Sequence, residues 1–335
     1  MSSKPRPRFS RSATGKAVRI TERDLAVLRL HRCYRYLRAS HIHRFVGGNA
    51  AKLNARLADL FHERGYLDRP REQARCYRAY TNEIITALSD EGDAYLTELG
   101  EPKPLPHELA SKGRCGANRQ FDHALMISDA LSGIAHAVAE RPRFQFRPWP
   151  EFTTRLSPEE RSGNPFRFRV RINRTARSNG RRYVLAEHTH VPDGLFGLTD
   201  TAAQSDRRHR AFFLEAERTN RIFSKDLKQT SFLRHVLSYL SMRAHPLLHE
   251  REVPAATVLV IAHSQTKIDH MCELIHDHLL GGVGSARFLF KTLPHPDLVL
   301  IRKPEPTDFW RDWQYADYDP AARAWKRTDL DALFA

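Results

Sequence analysis

Nothing in the sequence is long and apolar enough for a bilayer, since no run of about 18 apolar residues occurs. The opening stretch, MSSKPRPRFSRSATGKAVR, has positive charge but no apolar core behind it, so it reads as a flexible basic arm over residues 1–20 rather than a signal peptide. Cysteine is scarce: Cys33, Cys76, Cys115 and Cys272 lack CxxC spacing, which speaks against a disulfide framework and for reduced thiols in a cytoplasmic protein. Acidic side chains are also in deficit, 39 against 54 Lys and Arg, and the net charge of +15 points to a polyanionic partner, nucleic acid first. There is no internal repeat.

What is present divides by charge and by period. Residues 1–78 hold 19 basic and 6 acidic side chains, whereas residues 304–335 hold 4 and 7, so basicity marks particular surfaces. Thr21 can cap a helix with Glu22 and Asp24 in its first turn and Leu25 and Leu28 on its apolar side. A second helix is expected over about 39–45, Gly47-Gly48 as a turn, and a third helix over about 49–64 with Leu53, Leu57, Leu60 and Phe61 at helical spacing. Two strands follow, around Tyr66-Leu67 and 84–88, joined by a basic loop with Arg71 and Arg75, and then a helix over 89–99. Three helices and two strands with a basic loop describe a winged helix-turn-helix over 21–100. Its third helix would offer Asn49, Lys52, Asn54 and Arg56 to DNA; the plainer alternative is an amphipathic helix with a solvated basic face.

Glu101 to Gly116, rich in Pro, Gly and charge, reads as part of a linker over 101–118. A helix over about 119–139 comes next, and then an Arg-rich stretch, 141–182, with 12 basic and 3 acidic residues. There Phe144, Phe146, Phe166 and Phe168 alternate with Arg or Gln, which predicts a hairpin with one buried and one cationic face. Arg167 and Arg169 on the cationic face would suit a phosphate backbone. From Arg182 the expected order is strand (YVLAEH), strand (VPDGLFGL), strand (AFFLEAE), helix (about 224–243), strand, helix (about 265–280) and strand. The last residues, 304–335, are Trp-rich and carry no evident chemistry.

The chemistry concentrates on two of these strands. Asp193 stands near the start of one, and Glu215 and Glu217, two apart, share a face of the next. Three acids from two strands suit a hard divalent cation, Mg²⁺ or Mn²⁺, and with it metal-assisted phosphodiester hydrolysis. Each piece also has a plainer reading, since Pro-Asp is a common turn pair and a Glu-x-Glu strand end can face solvent. Cys272 and His276 stand i, i+4 on a helix, but a structural zinc wants four ligands and no second cluster is visible.

The helix at 119–139 followed by these strands resembles the PD-(D/E)xK nuclease superfamily, with Pro192-Asp193 and Glu215-Ala216-Glu217 in the motif positions. Glu217 departs from that pattern, which has Lys there; Lys225 or Lys228 is expected to supply the cation. Over most of the chain, the winged helix, FDHALMISDAL, Trp149-Pro150-Glu151, PDGLF and Glu215 to Thr219 resemble the replication-relaxation family of plasmids and mobile elements. That resemblance implies an α+β chain: a winged helix-turn-helix, then an αβββαβ restriction-endonuclease-like domain over 119–303 with an extra αβ unit. It further implies Glu151 as an additional acid at the metal site. The partners expected are double-stranded DNA, plasmid replication or relaxase proteins, and a second copy of the chain. Two functions remain open on these residues: a Mg²⁺-dependent endonuclease or nickase, and a DNA-binding replication or transfer regulator with a silent nuclease fold.

Overall fold

The first helix, α1 (Glu22–Cys33), begins on a capping box, as its sequence predicts. The Thr21 N–H donates to Asp24 Oδ2 at 2.8 Å and the Thr21 hydroxyl oxygen accepts from the Asp24 N–H at 3.3 Å, which satisfies donors that the helix start leaves without partners. In the computed structural model the described residues are 6–75, 83–101, 121–153, 166–204, 208–218, 221–242, 256–293 and 307–334. They form two compact units, one up to His136 and one from Ala137 on. The expected linker, apart from Glu101, lies outside the described residues, as do Thr219 and the side chain of Arg75.

In the first unit α1 is followed by β1 (Tyr36–Arg38), α2 (Ala39–Val46), α3 (Ala50–His62), β2 (Leu67–Asp68), β3 (Ile85–Leu88) and α4 (Asp90–Glu98). The three strands pair antiparallel in the order β1-β3-β2, so the short β1, which the sequence reading missed, holds the middle strand on its far side. Asn49 caps α3, its side-chain oxygen accepting from the Lys52 N–H at 3.0 Å. The helix α5 (Phe121–Ala139) belongs with this unit as far as His136, through the edge contact of Phe121 on Tyr36 and a buried pair of Asp129 with Arg38. It was expected to open the second domain instead. Its polar buried residues decide the matter, because Asp129 finds its guanidinium on β1.

The free basic arm is also corrected. Arg6 reaches Glu63 at 2.6 Å and Asp59 at 3.2 Å, Lys16 reaches Asp59 at 2.6 Å, and Arg11 reaches Asp68 at 2.6 Å and the Phe61 carbonyl at 3.2 Å. Residues 6–16 are therefore strapped along the end of α3 and β2 by Asp59, Glu63 and Asp68, and a good part of the local positive charge is already matched.

One buried group of this unit sets a pH response. His31 donates from Nδ1 to the Val27 carbonyl at 2.8 Å and meets the Thr86 hydroxyl through Nε2 at 2.8 Å. Burial, only partly offset by those bonds, pushes its pKa from 6.5 down to about 4. The unfolded chain therefore takes up the proton first. The contribution of His31 is complete above pH 6.5 and is lost as pH falls toward about 4, a swing on the order of 3 kcal/mol. Urea midpoints of the full chain at pH 7.5 and 4.5 check this: wild type should lose more on acidification than His31→Gln, and parallel losses would remove the histidine from the account.

The second unit is built on a seven-stranded mixed sheet ordered β12-β11-β10-β9-β8-β7-β4. Its strands are β4 (Phe144–Pro148), β7 (Gly194–Asp200), β8 (His209–Glu217), β9 (Thr257–Ala262), β10 (Ser285–Thr292), β11 (Trp313–Asp319) and β12 (Ala324–Thr328). β4 pairs antiparallel with β7 and β7 with β8, whereas β8, β9 and β10 are parallel, joined by crossovers that contain α7 (Phe232–Ser241) and α8 (Gln265–Glu273). Central strands covered on both faces need continuous apolar runs. β9 supplies TVLVIA, buried at every position, and β8 is buried from Ala211 to Glu217.

Two strand assignments change. β5 (Phe168–Thr175) and β6 (Arg182–His190) form a separate antiparallel hairpin, so YVLAEH does not flank β7. The alternation of β5 is real, with Phe168, Val170 and Ile172 buried and Arg167, Arg169 and Arg171 exposed, but its partner is β6 rather than 144–148. β4 takes the place beside β7, where Phe146 stacks on Phe196 at 5.3 Å. The Trp-rich end is no loose tail either: β11 and β12 extend the sheet, with the Trp313 side chain fully buried and its indole N–H donating to the Phe309 carbonyl at 3.0 Å.

Candidate functional site

The β7–β8 ladder stops at Gly194 opposite Leu214, and one residue beyond it Asp193 turns its carboxylate into the place of the missing rung. Asp193 Oδ2 accepts from the Ala216 N–H at 2.9 Å. This fixes Asp193 against the strand segment that carries Glu215 and Glu217, which share a face by the period of two. Both glutamates are buried, at 3% and 4% exposure, so a solvated strand end does not describe them.

Helix α7 lies across that face, and its i, i+4 pair His235 and Tyr239 reaches the acids. His235 Nδ1 stands 2.9 Å from Glu217 Oε1 and 3.9 Å from Glu215 Oε2, and the Tyr239 hydroxyl donates to Glu215 Oε1. His190, at the end of β6, brings Nε2 to 3.5 Å from Glu215 Oε1, with its ring edge-on to Tyr239 at 4.6 Å. Lys267 on α8 donates from Nζ to the main-chain carbonyl of Glu217 at 2.7 Å. Seven side chains, from β6, β8, α7, α8 and the residue before β7, thus gather at one strand end.

Electrostatics there are unlike those of a surface cluster. Burial, and then the charge of Asp193, hold the Glu215 carboxyl well above its usual range, against the pull of His235 and Tyr239. Burial would lower His235, yet its bond to Glu217 and the charges of Glu215, Glu217 and Asp193 raise it to about 9. Burial and the neighbouring His235 push His190 down to about 3, so it stays neutral. Burial lowers Lys267, opposed by Glu217. The metal-free site accordingly balances its acids with an imidazolium, and a dication bound at the same acids would have to displace that proton.

Among the described residues, Glu215, Glu217 and His235 are the group whose ligand atoms, within 4.8 Å of one another, can hold a metal ion. Glu151 is not part of it: it sits exposed on α6 (Trp149–Thr153), where Arg147 Nε approaches at 3.3 Å. Lys228 is exposed and is engaged through its backbone, the N–H to Asp226 at 2.9 Å and the carbonyl to Arg234 at 3.0 Å. A lysine that does reach this strand end is Lys267, through the Glu217 carbonyl; it lies 50 residues beyond Glu217 and shows no spacing that would have singled it out. His235 was missed for a related reason, since one His in SFLRHVLSYL reads as an ordinary helix residue. Cys272 accepts from Gln314 Nε2 at 3.4 Å and His276 meets Asp277 at 2.6 Å, so each has a partner of its own.

The other expected contacts divide. Lys52 and Asn54 are exposed on α3, Arg71 is exposed on the short helix 71–75, and Arg167 and Arg169 are exposed on the β5–β6 hairpin. Arg56 is half-buried and engaged: it grips Asp24 at 2.8 Å and 2.6 Å and also donates to the Arg19 carbonyl. A buried carboxylate at the start of α1 claims it, so it is withdrawn from the exposed set. Asn49 commits its side-chain oxygen to the helix cap.

Compared with known proteins, residues 25–225 match the family described as replication-relaxation. No curated protein and no solved structure matches. The matched span includes Asp193, Glu215 and Glu217 and ends before His235, Tyr239 and Lys267.

Proposed function

Since the chain belongs to the replication-relaxation family, we propose that it acts on plasmid or mobile-element DNA as a metal-dependent endonuclease or nickase. The first unit would be a winged-helix reader and the second a PD-(D/E)xK-like cutter. The observation that carries this reading is the pair of buried acids Glu215 and Glu217 at the end of β8, with the half-buried Asp193 bonded to the Ala216 N–H between them. Burying like charges side by side costs stability, and such arrangements cluster where the charges are used.

The residues fit a divalent cation by their donor set and by the buried, unsatisfied Nε2 of His190 at their side. Glu215, Glu217 and His235 would hold the ion, with the Asp193 carboxylate beside them. When bound, Mg²⁺ or Mn²⁺ would lower the pKa of an attacking water and offset charge building on the phosphate. Tyr239 orients Glu215 by its hydrogen bond, and Asp193 is oriented by the Ala216 N–H. Lys267, held by the Glu217 carbonyl, sets a positive charge beside the acids and takes the part that Lys would play in place of Glu217. Arg167, Arg169 and Arg171 would hold the DNA backbone without reading sequence. Lys52 and Asn54 on α3 and Arg71 would make the contacts of the first unit.

A second reading is favoured by the salt bridges of His235, which balance the acids with no metal at all. It makes the protein a DNA-binding regulator with a silent nuclease fold. Supercoiled plasmid incubated with the protein and Mg²⁺ or Mn²⁺ separates the two. Nicking by wild type that is lost in Asp193→Ala supports the enzyme, whereas equal products from both proteins end that assignment. Plasmid binding without cleavage in either metal would leave the regulator.

A further inference from the structure

We infer that the centre is a mixed carboxylate–imidazole site built for a first-row transition-metal dication rather than for Mg²⁺, with Glu215, Glu217 and His235 as ligands and His190 Nε2 as the fourth donor. The inference rests on the metal-dependent reading above and goes past it in naming the class of ion. Two observations carry it independently. One is the group of three ligand atoms within 4.8 Å, one of which is an imidazole nitrogen. The other is His190: it is 5% exposed, its Nε2 makes no hydrogen bond among the described residues, and that atom stands 3.5 Å from Glu215 Oε1. A buried polar atom without a partner costs on the order of 1–3 kcal/mol and calls for an explanation such as an ion.

The chemistry of the donors selects the ion. Mg²⁺ takes oxygen ligands in a near-ideal octahedron and keeps several waters. Imidazole suits Zn, Cu, Fe and Ni, and Mn²⁺, the weakest binder of that row, is a spectroscopic stand-in for them at a site whose other donors are carboxylates. A site bordered by His190, His235 and Tyr239 offers such an ion two imidazoles beside its carboxylate oxygens, a donor set that Mg²⁺ does not favour. Ring centroids of the two histidines are 5.6 Å apart, and a nitrogen of each lies within 4 Å of a Glu215 oxygen.

The test uses full-length protein freed of metal with chelator and then titrated by calorimetry with Mn²⁺ and with Mg²⁺. One Mn²⁺ should bind at least about tenfold tighter than Mg²⁺. His235→Gln should weaken Mn²⁺ by about tenfold or more while moving Mg²⁺ much less. Pulsed electron paramagnetic resonance of the Mn²⁺-loaded wild type, which needs no variant to fold, should show coupling to imidazole ¹⁴N. Equal affinity for the two ions, or Mn²⁺ bound without nitrogen coupling, would overturn the inference. These outcomes stay distinct from failure of the nuclease reading. Nitrogen-coupled Mn²⁺ with no nicking would keep the metal site and sink the enzyme, and nicking with oxygen-only Mn²⁺ would do the reverse.

Discussion

Glu215→Gln is expected to abolish strand nicking while leaving the metal-free fold at least as stable as before. Losing a carboxylate from the ion's coordination and from the charge balance at the phosphate removes several kcal/mol of transition-state stabilisation, on the order of a thousandfold in rate. Stability should go the other way. The Glu215 carboxyl is held above its usual range by burial and by Asp193. An acid with a raised folded pKa binds its proton more tightly in the native state, so it loses stability as pH rises from the unfolded value of 4.5 through the folded one. Gln keeps the shape and an oxygen for the Tyr239 hydroxyl without that loss. Urea midpoints at pH 6 and pH 8 check it: the advantage of the variant over wild type should grow with pH, and a variant that is less stable at both would show that the acids hold the fold together.

Arg38→Ala should do the opposite, unfolding the first unit with no direct effect on the acids. Arg38 is 2% exposed and its guanidinium is bidentate to Asp129, with both bonds at 3.0 Å. Removing one partner of a buried pair leaves an uncompensated charge and costs about 3–5 kcal/mol. His41 and Ser132 stand by the same carboxylate, with His41 Nδ1 3.6 Å from Asp129 and 3.1 Å from Ser132 Oγ. Denaturant titration of the full chain gives the loss. A cost near 1 kcal/mol, the size of an exposed pair, would mean that the pair is solvated. The double variant Arg38→Met/Asp129→Leu, which removes both charges, should recover much of the stability.

The two kinds of residue differ in how far the sequence betrayed them. The acids were legible because each signal was local: Asp193 after Pro192, and Glu215 and Glu217 at the strand period behind Phe212, Phe213 and Leu214. The cap at Thr21 and the apolar stripe of α3 were legible for the same reason. What escaped was long-range. His235 and Tyr239 are i, i+4 on one helix, but only the packing of α7 across β8 turns them toward Glu215 and Glu217. Lys267 meets Glu217 through a main-chain carbonyl, which no side-chain pattern records. Arg56 looked like a DNA contact by its place on α3, and Asp24, 32 residues upstream, took it instead. Strand identity followed the period but strand pairing did not. The alternation of Phe144 and Phe146 with polar residues fits β4 equally well beside β5 or beside β7, and Phe196 decided for β7.

The most direct measurement of the central claim is the initial rate of nicking of supercoiled plasmid in Mn²⁺ by wild type and by Glu215→Gln. Both proteins should first be shown folded by the same far-UV spectrum and the same unfolding cooperativity. The account predicts open-circular product from wild type, none when a chelator is added, and a rate for the variant lower by about a thousandfold. Nicking by the variant at the wild-type rate, with the same metal dependence, would contradict it.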